Sequence, residues 1–247
     1  MGGPIEFSQF LKWQPPKLVP IISQGLMYAG SRVIIYGKYK SLKSMVATRL
    51  CLALAEGKDW IGFQTNQQRV LYIQLEIPNP MLHRRLKQMM NGSQPSVNNL
   101  WIWTDYGIKV DSPVGQEQVE DMIQQIQPTV LVLDPIYKAL TGDISSNEKM
   151  GQLIDWADGL VDKYQLSIIM VHHSKKGEAS VEWGNVDDML GGSVLMNWAD
   201  TIIKIERKSR VDVNVRFEVT RHAEDEIPDK KLEMNDKLDF VVPIRKV

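Results

Sequence analysis

Gly37, Lys43 and Ser44 carry the spacing of a phosphate site, in the run Arg32-Val33-Ile34-Ile35-Tyr36-Gly37-Lys38-Tyr39-Lys40-Ser41-Leu42-Lys43-Ser44. The pattern G-x-x-x-x-G-K-[ST] needs a glycine for the tight exit from a strand and backbone amides that cradle phosphate. It also needs a lysine for the β- and γ-phosphates and a hydroxyl for Mg2+. Gly37 through Met45, with Lys38, Tyr39, Lys40, Ser41 and Leu42 between, are the expected nucleotide-binding residues, and ATP with Mg2+ is the expected ligand. One position departs: Leu42 stands where the pattern has its second glycine. Its tolerance depends on whether the backbone there is within reach of a non-glycine residue. The alternative, an accidental match in a strand-to-helix turn, is weakened by the adjoining segment. Met45 to Glu56 (MVATRLCLALAE) has helical apolar spacing, as a phosphate loop between strand and helix requires.

Four further groups fall at the ends of apolar runs. Asp134 ends TVLVLD, where an acid holds Mg2+ directly or through water; a helix cap or turn aspartate is the plain alternative. Together, Ser44 and Asp134 are the candidate metal ligands. Glu76 ends VLYIQLE and can polarise the water that attacks a γ-phosphate. His172-His173-Ser174-Lys175-Lys176 follows SIIMV, and either imidazole, His173 included, could hydrogen-bond that phosphate and report it to the next loop. Adjacent histidines make a poor metal pair, and no cysteine or spaced histidine completes a zinc set. Lys175 to Gly192 is polar and lacks periodicity, so it reads as a long loop. Within it Lys175, Lys176 and Trp183 could supply phosphate contacts and a stacking surface for single-stranded nucleic acid, although Glu178, Glu182, Asp187 and Asp188 oppose that.

The elements that must position these groups follow a strand-then-helix rhythm. After the first strand and helix come Arg69 to Leu75 and a helix over Pro80 to Met90, then Leu100 to Thr104 and a helix over Gln116 to Gln127. Thr129 to Leu133 and a helix over Glu148 to Tyr164 lead to a fifth strand, Ser167 to Val171. Continuous apolar strands alternating with helices imply an α/β fold with a mostly parallel sheet covered on both faces. Thr201 to Glu206, Asp212 to Thr220 and Leu238 to Pro243 read as an antiparallel extension at the sheet edge. Residues 1–30 read as irregular, with Pro4, Pro15, Pro16 and Pro20; we divide the chain into an arm, 1–20, and a single domain, 21–247. Trp101 and Trp103 alternate on a strand as packing residues. The run His83-Arg84-Arg85-Leu86-Lys87 reads as a solvated helix face or subunit contact.

With 247 residues, 43% hydrophobic and 24% charged, the chain has the composition of a globular protein that can bury one large α/β core. It has no run of 18 or more apolar residues, and its start lacks the regions of a signal peptide, so no membrane is expected. The single cysteine, Cys51, lies in the helical run after the phosphate loop and suits a core position in a cytoplasmic protein. A net charge of −1 gives no bulk basic field, so any nucleic-acid contact has to come from local loops or a ring of subunits.

In order, LKWQPPKLVPIISQGLMYAGSRVIIYGKYKSLKS, RVLYIQLEIPNPMLHRRL, TVLVLDPI, SIIMVHHSKKG and GGSVLMNWADTIIKIER resemble the ATPase core of RecA-superfamily hexameric helicases. The likeness is greatest to the plasmid RepA-type branch, with DnaB-type replicative helicases more distant, and it covers roughly residues 21 to 222. The resemblance implies a RecA-like P-loop NTPase core working as a ring-shaped homo-oligomer, a hexamer, with ATP at each interface and single-stranded DNA in the channel. By position it implies that Lys43 and Ser44 bind phosphate and Mg2+, that Asp134 is the Walker B acid and that Glu76 is the hydrolytic carboxylate. It places His172 or His173 at the sensor strand, Gly191-Gly192-Ser193 near the channel loop, and Arg221 where an arginine finger reaches the neighbour's γ-phosphate; a salt-bridged surface arginine is the alternative for Arg221. Three other functions stay open: a recombinase-like or accessory DNA-binding ATPase, a non-hydrolysing assembly module for which Leu42 is the motive, and a small-molecule kinase, against which the missing arginine-rich lid counts.

Overall fold

A computed structural model describes residues 3–15, 17–95, 98–142, 146–174, 192–221 and 226–243. The first 30 residues hold more order than their prolines suggest. Glu6 caps a helix, α1 (Phe7–Lys12), by accepting the Ser8 N–H, and β1 (Pro20–Ile22) pairs antiparallel with β2 (Met27–Tyr28). Helix α1 buries no residue, so local capping rather than packing shapes it.

The apolar runs then form β3 (Arg32–Gly37), β4 (Val70–Gln74), β5 (Leu100–Thr104), β6 (Val130–Asp134) and β7 (Ser167–His173). The interposed helices are α2 (Lys43–Glu56), α3 (Asn79–Met90), α4 (Pro113–Ile126) and α5 (Asn147–Tyr164). After α6 (Gly192–Trp198), β8 (Thr201–Arg207) lies parallel to β3, and β9 (Asp212–Val219), β10 (Lys230–Met234) and β11 (Phe240–Val241) continue antiparallel. The sheet order is β5-β4-β6-β7-β3-β8-β9-β10-β11, parallel from β5 to β8.

Alternate residues serve two cores because successive side chains of a strand point to opposite faces. Val33 and Ile35 pack with Val46, Leu50 and Leu54 of α2, while Ile34 and Tyr36 pack with Val119 and Ile123 of α4 and Leu153 and Leu160 of α5. That double cover is why the inner strands read as unbroken apolar runs. Trp101 and Trp103 lie half-buried on the edge strand β5 against the second core. Among the described residues no helix is long and apolar enough to cross a membrane.

A helix start, an unforeseen strand and a contracted strand depart from the periodicity. Helix α4 starts at Pro113 rather than Gln116 because Ser112 accepts the Gly115 N–H as its cap and proline suits the first turn. Strand β10 has no counterpart in the apolar pattern: it buries only Leu232, so KKLEM carries little signal. The strand expected over Leu238 to Pro243 contracts to Phe240–Val241 because residues 235–239 form a turn, with Leu238 N–H donating to Asn235 O and Asn235 N–H to Asp239 O.

Candidate nucleotide site

The register that pairs Gly37 with His173 and Gln74 with Asp134 brings four strand ends to one edge of the sheet, where open α/β sheets bind ligands. The chain leaves β3 at Gly37 for a reason of space: a Cβ there would stand 2.2 Å from the Ile205 carbonyl oxygen on β8. The loop then turns through two non-glycine residues in the left-handed region, Lys40 (φ 61) and Leu42 (φ 70). Leu42 is the N-cap residue of α2, with ψ 16. The left-handed conformation costs an L-residue roughly 1–2 kcal/mol, and the Leu42 side chain offsets part of this by packing against the core under α2. The loop therefore keeps the conformation that glycine would have served.

Lys43 is buried, with 4% of its surface exposed. Its ammonium donates to the Lys38 carbonyl at 2.8 Å and to Ser41 Oγ at 3.4 Å, and lies 3.4 Å from His173 Nδ1. Burial pushes its pKa down to about 8, against the pull of Asp134 and Glu76. The His173 imidazole is held down to about 4 by burial, then by Lys43 and His172, so it is neutral at pH 7. A charged Lys43 can only donate, so Nδ1 accepts and the imidazole proton sits on Nε2.

Asp134 is fully buried and shared by three donors. Ser44 Oγ donates to Oδ1 at 2.9 Å; the Tyr72 phenol (2.6 Å) and Gln74 Nε2 (3.2 Å) donate to Oδ2. Burial raises its carboxyl to about 6 in spite of the Tyr72 and Ser44 hydrogen bonds and the nearby Lys43. A buried carboxylate beside a serine hydroxyl, short of positive charge, fits a hard divalent cation. Mg2+ takes one or two protein oxygens and completes its shell from water and phosphate. Among the described residues no group of three His, Cys, Asp or Glu is placed to hold a metal ion by itself.

Gln74 also joins the two acids. Its Oε1 accepts the backbone N–H of Glu76 at 2.5 Å and of Ile77 at 2.7 Å while its amide donates to Asp134. Glu76 is exposed into the site, and its Oε1 accepts from the Tyr137 phenol at 2.9 Å. The cavity between these groups measures about 380 Å3; Tyr39, Leu42, Ile77, Pro78 and Met81 line it beside Ser41, Lys43, Ser44, Glu76 and His173. Lys40, Arg85 and Arg207 add three cations to its wall. Within the run read as a solvated helix face or subunit contact, Arg85 lines the cavity while His83, Arg84 and Lys87 stay outside its lining. Arg207 is held by the carbonyls of Ser209, Arg210 and Lys40.

The structure thus brings Gly37 through Met45, Glu76, Asp134 and His173 together, and leaves Arg221 apart. Arg221 pairs with Asp200 at 3.2 Å and donates to the Asn197 carbonyl at 3.3 Å. Asp200 also accepts the backbone N–H of Arg32, the first residue of β3, so Arg221 stands at the opposite end of the sheet from its own phosphate loop. Lys175, Lys176, Trp183 and Gly191 lie outside the described residues. Sequence reasoning missed Tyr72, Gln74, Arg85, Tyr137 and Arg207. The first two had a signal: Tyr72, Gln74 and Glu76 alternate along VLYIQLE, which puts them on one face of a strand.

A phosphate loop between β3 and α2, facing acids at the ends of β4 and β6 in this strand order, defines a RecA-like P-loop nucleotide-binding domain. A family model described as an AAA domain matches residues 4–179, and the chain belongs to that family. The fold is similar to that of a KaiC-like protein from the hyperthermophilic archaeon Pyrococcus horikoshii OT3, with TM-score 0.64 and 14% identity over 93% of this chain and 100% of that one. It is also similar to the RadB recombinase, with TM-score 0.58 and 14% identity over 87% of this chain and 92% of the other. Identities this low speak for the fold alone. No curated protein is similar enough in sequence to count as a match.

Proposed function

We propose that the protein is an ATP-hydrolysing motor that acts on single-stranded DNA as a ring of subunits, in the manner of the hexameric replicative helicases it resembles. The observation that carries the hydrolytic part is the convergence of Lys43, Ser44 and Glu76 on one cavity, with Asp134 buried beneath it, bonded to Ser44 and tied to the Glu76 backbone through Gln74.

In this reading Lys43 leaves the Lys38 carbonyl and His173 to meet the β- and γ-phosphates, and the first turn of α2 adds its backbone amides. Ser44 and Asp134 hold Mg2+, which when bound neutralises phosphate charge. Glu76 takes a proton from the attacking water as the new P–O bond forms. The bond to the β–γ bridging oxygen breaks, and ADP leaves with that electron pair. Arg85 and Arg207 add positive charge in cis, and Arg221, at the far end of the sheet, would serve a neighbour's phosphate rather than its own. The apolar arm favours self-association: Phe7, Phe10 and Leu11 of α1 are 72%, 52% and 68% exposed. In this reading Lys175, Lys176 and Trp183 supply the DNA contacts.

ATP turnover measured with and without single-stranded DNA, together with the mass of the assembly, tests this. Stimulation by DNA in a multi-subunit particle is expected. Hydrolysis without strand separation would favour the recombinase-like reading, which the fold shared with the RadB recombinase also suits. ATP binding without turnover would leave a nucleotide-dependent assembly module.

A further inference from the structure

Glu76 needs help to act. It is exposed at the end of its strand, and an exposed glutamate samples several rotamers, few of which aim the carboxylate at one water. Among the described residues its carboxylate accepts one side-chain hydrogen bond, from Tyr137 Oη to Oε1 at 2.9 Å.

Tyr137 comes from a different element, the single 3-10 turn Ile136–Lys138 that follows Asp134 at the end of β6. Its ring stands edge-on to the His173 imidazole, with centroids 4.9 Å apart and planes at 76°. His173 in turn lies against Lys43. Tyr137 therefore touches two residues that line the cavity, Glu76 on the water-activating side and His173 on the phosphate-binding side. Burial and the neighbouring Glu76 raise its pKa, so it remains a donor at any working pH.

We propose that Tyr137 is a positioning residue for hydrolysis: its hydroxyl fixes Oε1 of Glu76 so that Oε2 faces the attacking water, and its ring ties that orientation to His173. The geometry supports this over a packing role. The ring makes the His173 contact, whereas among the described residues the hydroxyl bonds Glu76 alone. The inference rests on the hydrolytic reading above.

Tyr137→Phe keeps the ring and removes the hydroxyl, so it isolates the proposed role. In steady-state ATP hydrolysis kcat should fall about tenfold, equivalent to about 1.4 kcal/mol of barrier. KM for ATP and the affinity for ADP should stay within about twofold, which also shows that the variant is folded. In a Glu76→Gln background Tyr137→Phe should add less than about a twofold loss, because there is no base left to position. An unchanged kcat in a nucleotide-binding Tyr137→Phe protein overturns the proposal, as does a tenfold loss that persists in the Glu76→Gln background. If the unmodified protein turns over ATP no faster than Lys43→Ala, the hydrolytic reading itself falls and this inference falls with it. Turnover abolished by Lys43→Ala but indifferent to Tyr137→Phe removes this inference alone.

Discussion

Nucleotide affinity should depend on pH in a way set by one buried lysine. With the site empty, burial holds Lys43 down to about 8. Phosphates bring negative charge against the ammonium, which favours the charged form and raises that value. The protonated lysine is the form that binds, so binding takes up a proton at any pH between the empty and occupied values, and affinity weakens as pH rises through 8. At pH 7 about nine-tenths of the empty sites already carry the proton; at pH 9 only about one-tenth do. The dissociation constant should therefore rise about tenfold between pH 7 and pH 9, with about half a proton taken up per ADP at pH 8. The phosphate's own titration, near pH 6, is already about nine-tenths complete at pH 7 and adds little over that range.

Calorimetry of ADP binding in two buffers of different ionisation enthalpy measures both quantities. Lys43→Ala should bind roughly 10- to 100-fold more weakly, as loss of a charged hydrogen bond implies, and should show no alkaline limb. Asp134 supplies an opposite limb. Its carboxyl is raised to about 6, and a proton there competes with Mg2+. Affinity measured with Mg2+ should thus drop as pH falls below 6, and the drop should be steeper with Mg2+ than without it, where only the phosphate's own titration remains. Wild-type affinity that is flat from pH 7 to pH 9, or an alkaline limb retained in Lys43→Ala, would refute the reasoning.

Three other substitutions probe the remaining parts. Glu76→Gln should bind ATP normally and hydrolyse it at least about tenfold more slowly, about 1.4 kcal/mol of barrier; binding that falls in step with turnover in titration and steady-state assays would make Glu76 a structural or metal-binding group. Leu42→Gly relieves left-handed strain but loses core packing and loosens the unfolded chain, so the two effects nearly cancel. Its melting temperature should move by no more than about 2–4 °C and its turnover should not improve, whereas a large gain in turnover would mark the natural loop as a decayed one. Arg221→Ala should bind ATP yet stop hydrolysis, and mixing it with Lys43→Ala protein should restore part of the turnover, because some interfaces then pair an intact loop with an intact arginine. If mixing restores nothing and the single variant is fully active, Arg221 serves Asp200 alone.

The sheet and the main acids were legible because the chemistry fixes where they stand. An apolar run long enough for a doubly covered strand announces its own carboxyl end, and Asp134 and Glu76 are the first charged residues beyond or at such ends. What pairs with them was not legible. Gln74 meets Asp134, 60 positions away, only because β4 lies in register beside β6, and that register depends on the order of the whole sheet. Arg85 reads as one more charge on a basic helix face until α3 is docked and its rotation about its own axis decides which charge meets the cavity. Arg221 stands two residues past the end of β9, and its contact with Asp200 follows from the antiparallel pairing of β8 with β9. Short elements held by a cap or a turn, such as α1 and β10, escape a periodicity argument altogether, since each buries at most one side chain.

The departure at Leu42 shows the same division between local and distant causes. A leucine has no preference for the left-handed region, so nothing near position 42 foretells its φ of 70. The conformation is imposed from both sides: Gly37 lies too close to Ile205 for the loop to leave β3 differently, and α2 is fixed by Val46, Leu50 and Leu54 in the core. Between those anchors the chain turns at Lys40 and Leu42. The unfavourable features therefore gather at one place: two strained residues, a buried lysine below its usual pKa and a buried aspartate above its own. Strain and mismatched charge of this kind persist where the surrounding structure over-determines them, and they cluster where a ligand binds. A phosphate chain with its metal would relieve both charges at once. On this physical ground we propose that the loop serves as a variant phosphate site despite the missing glycine.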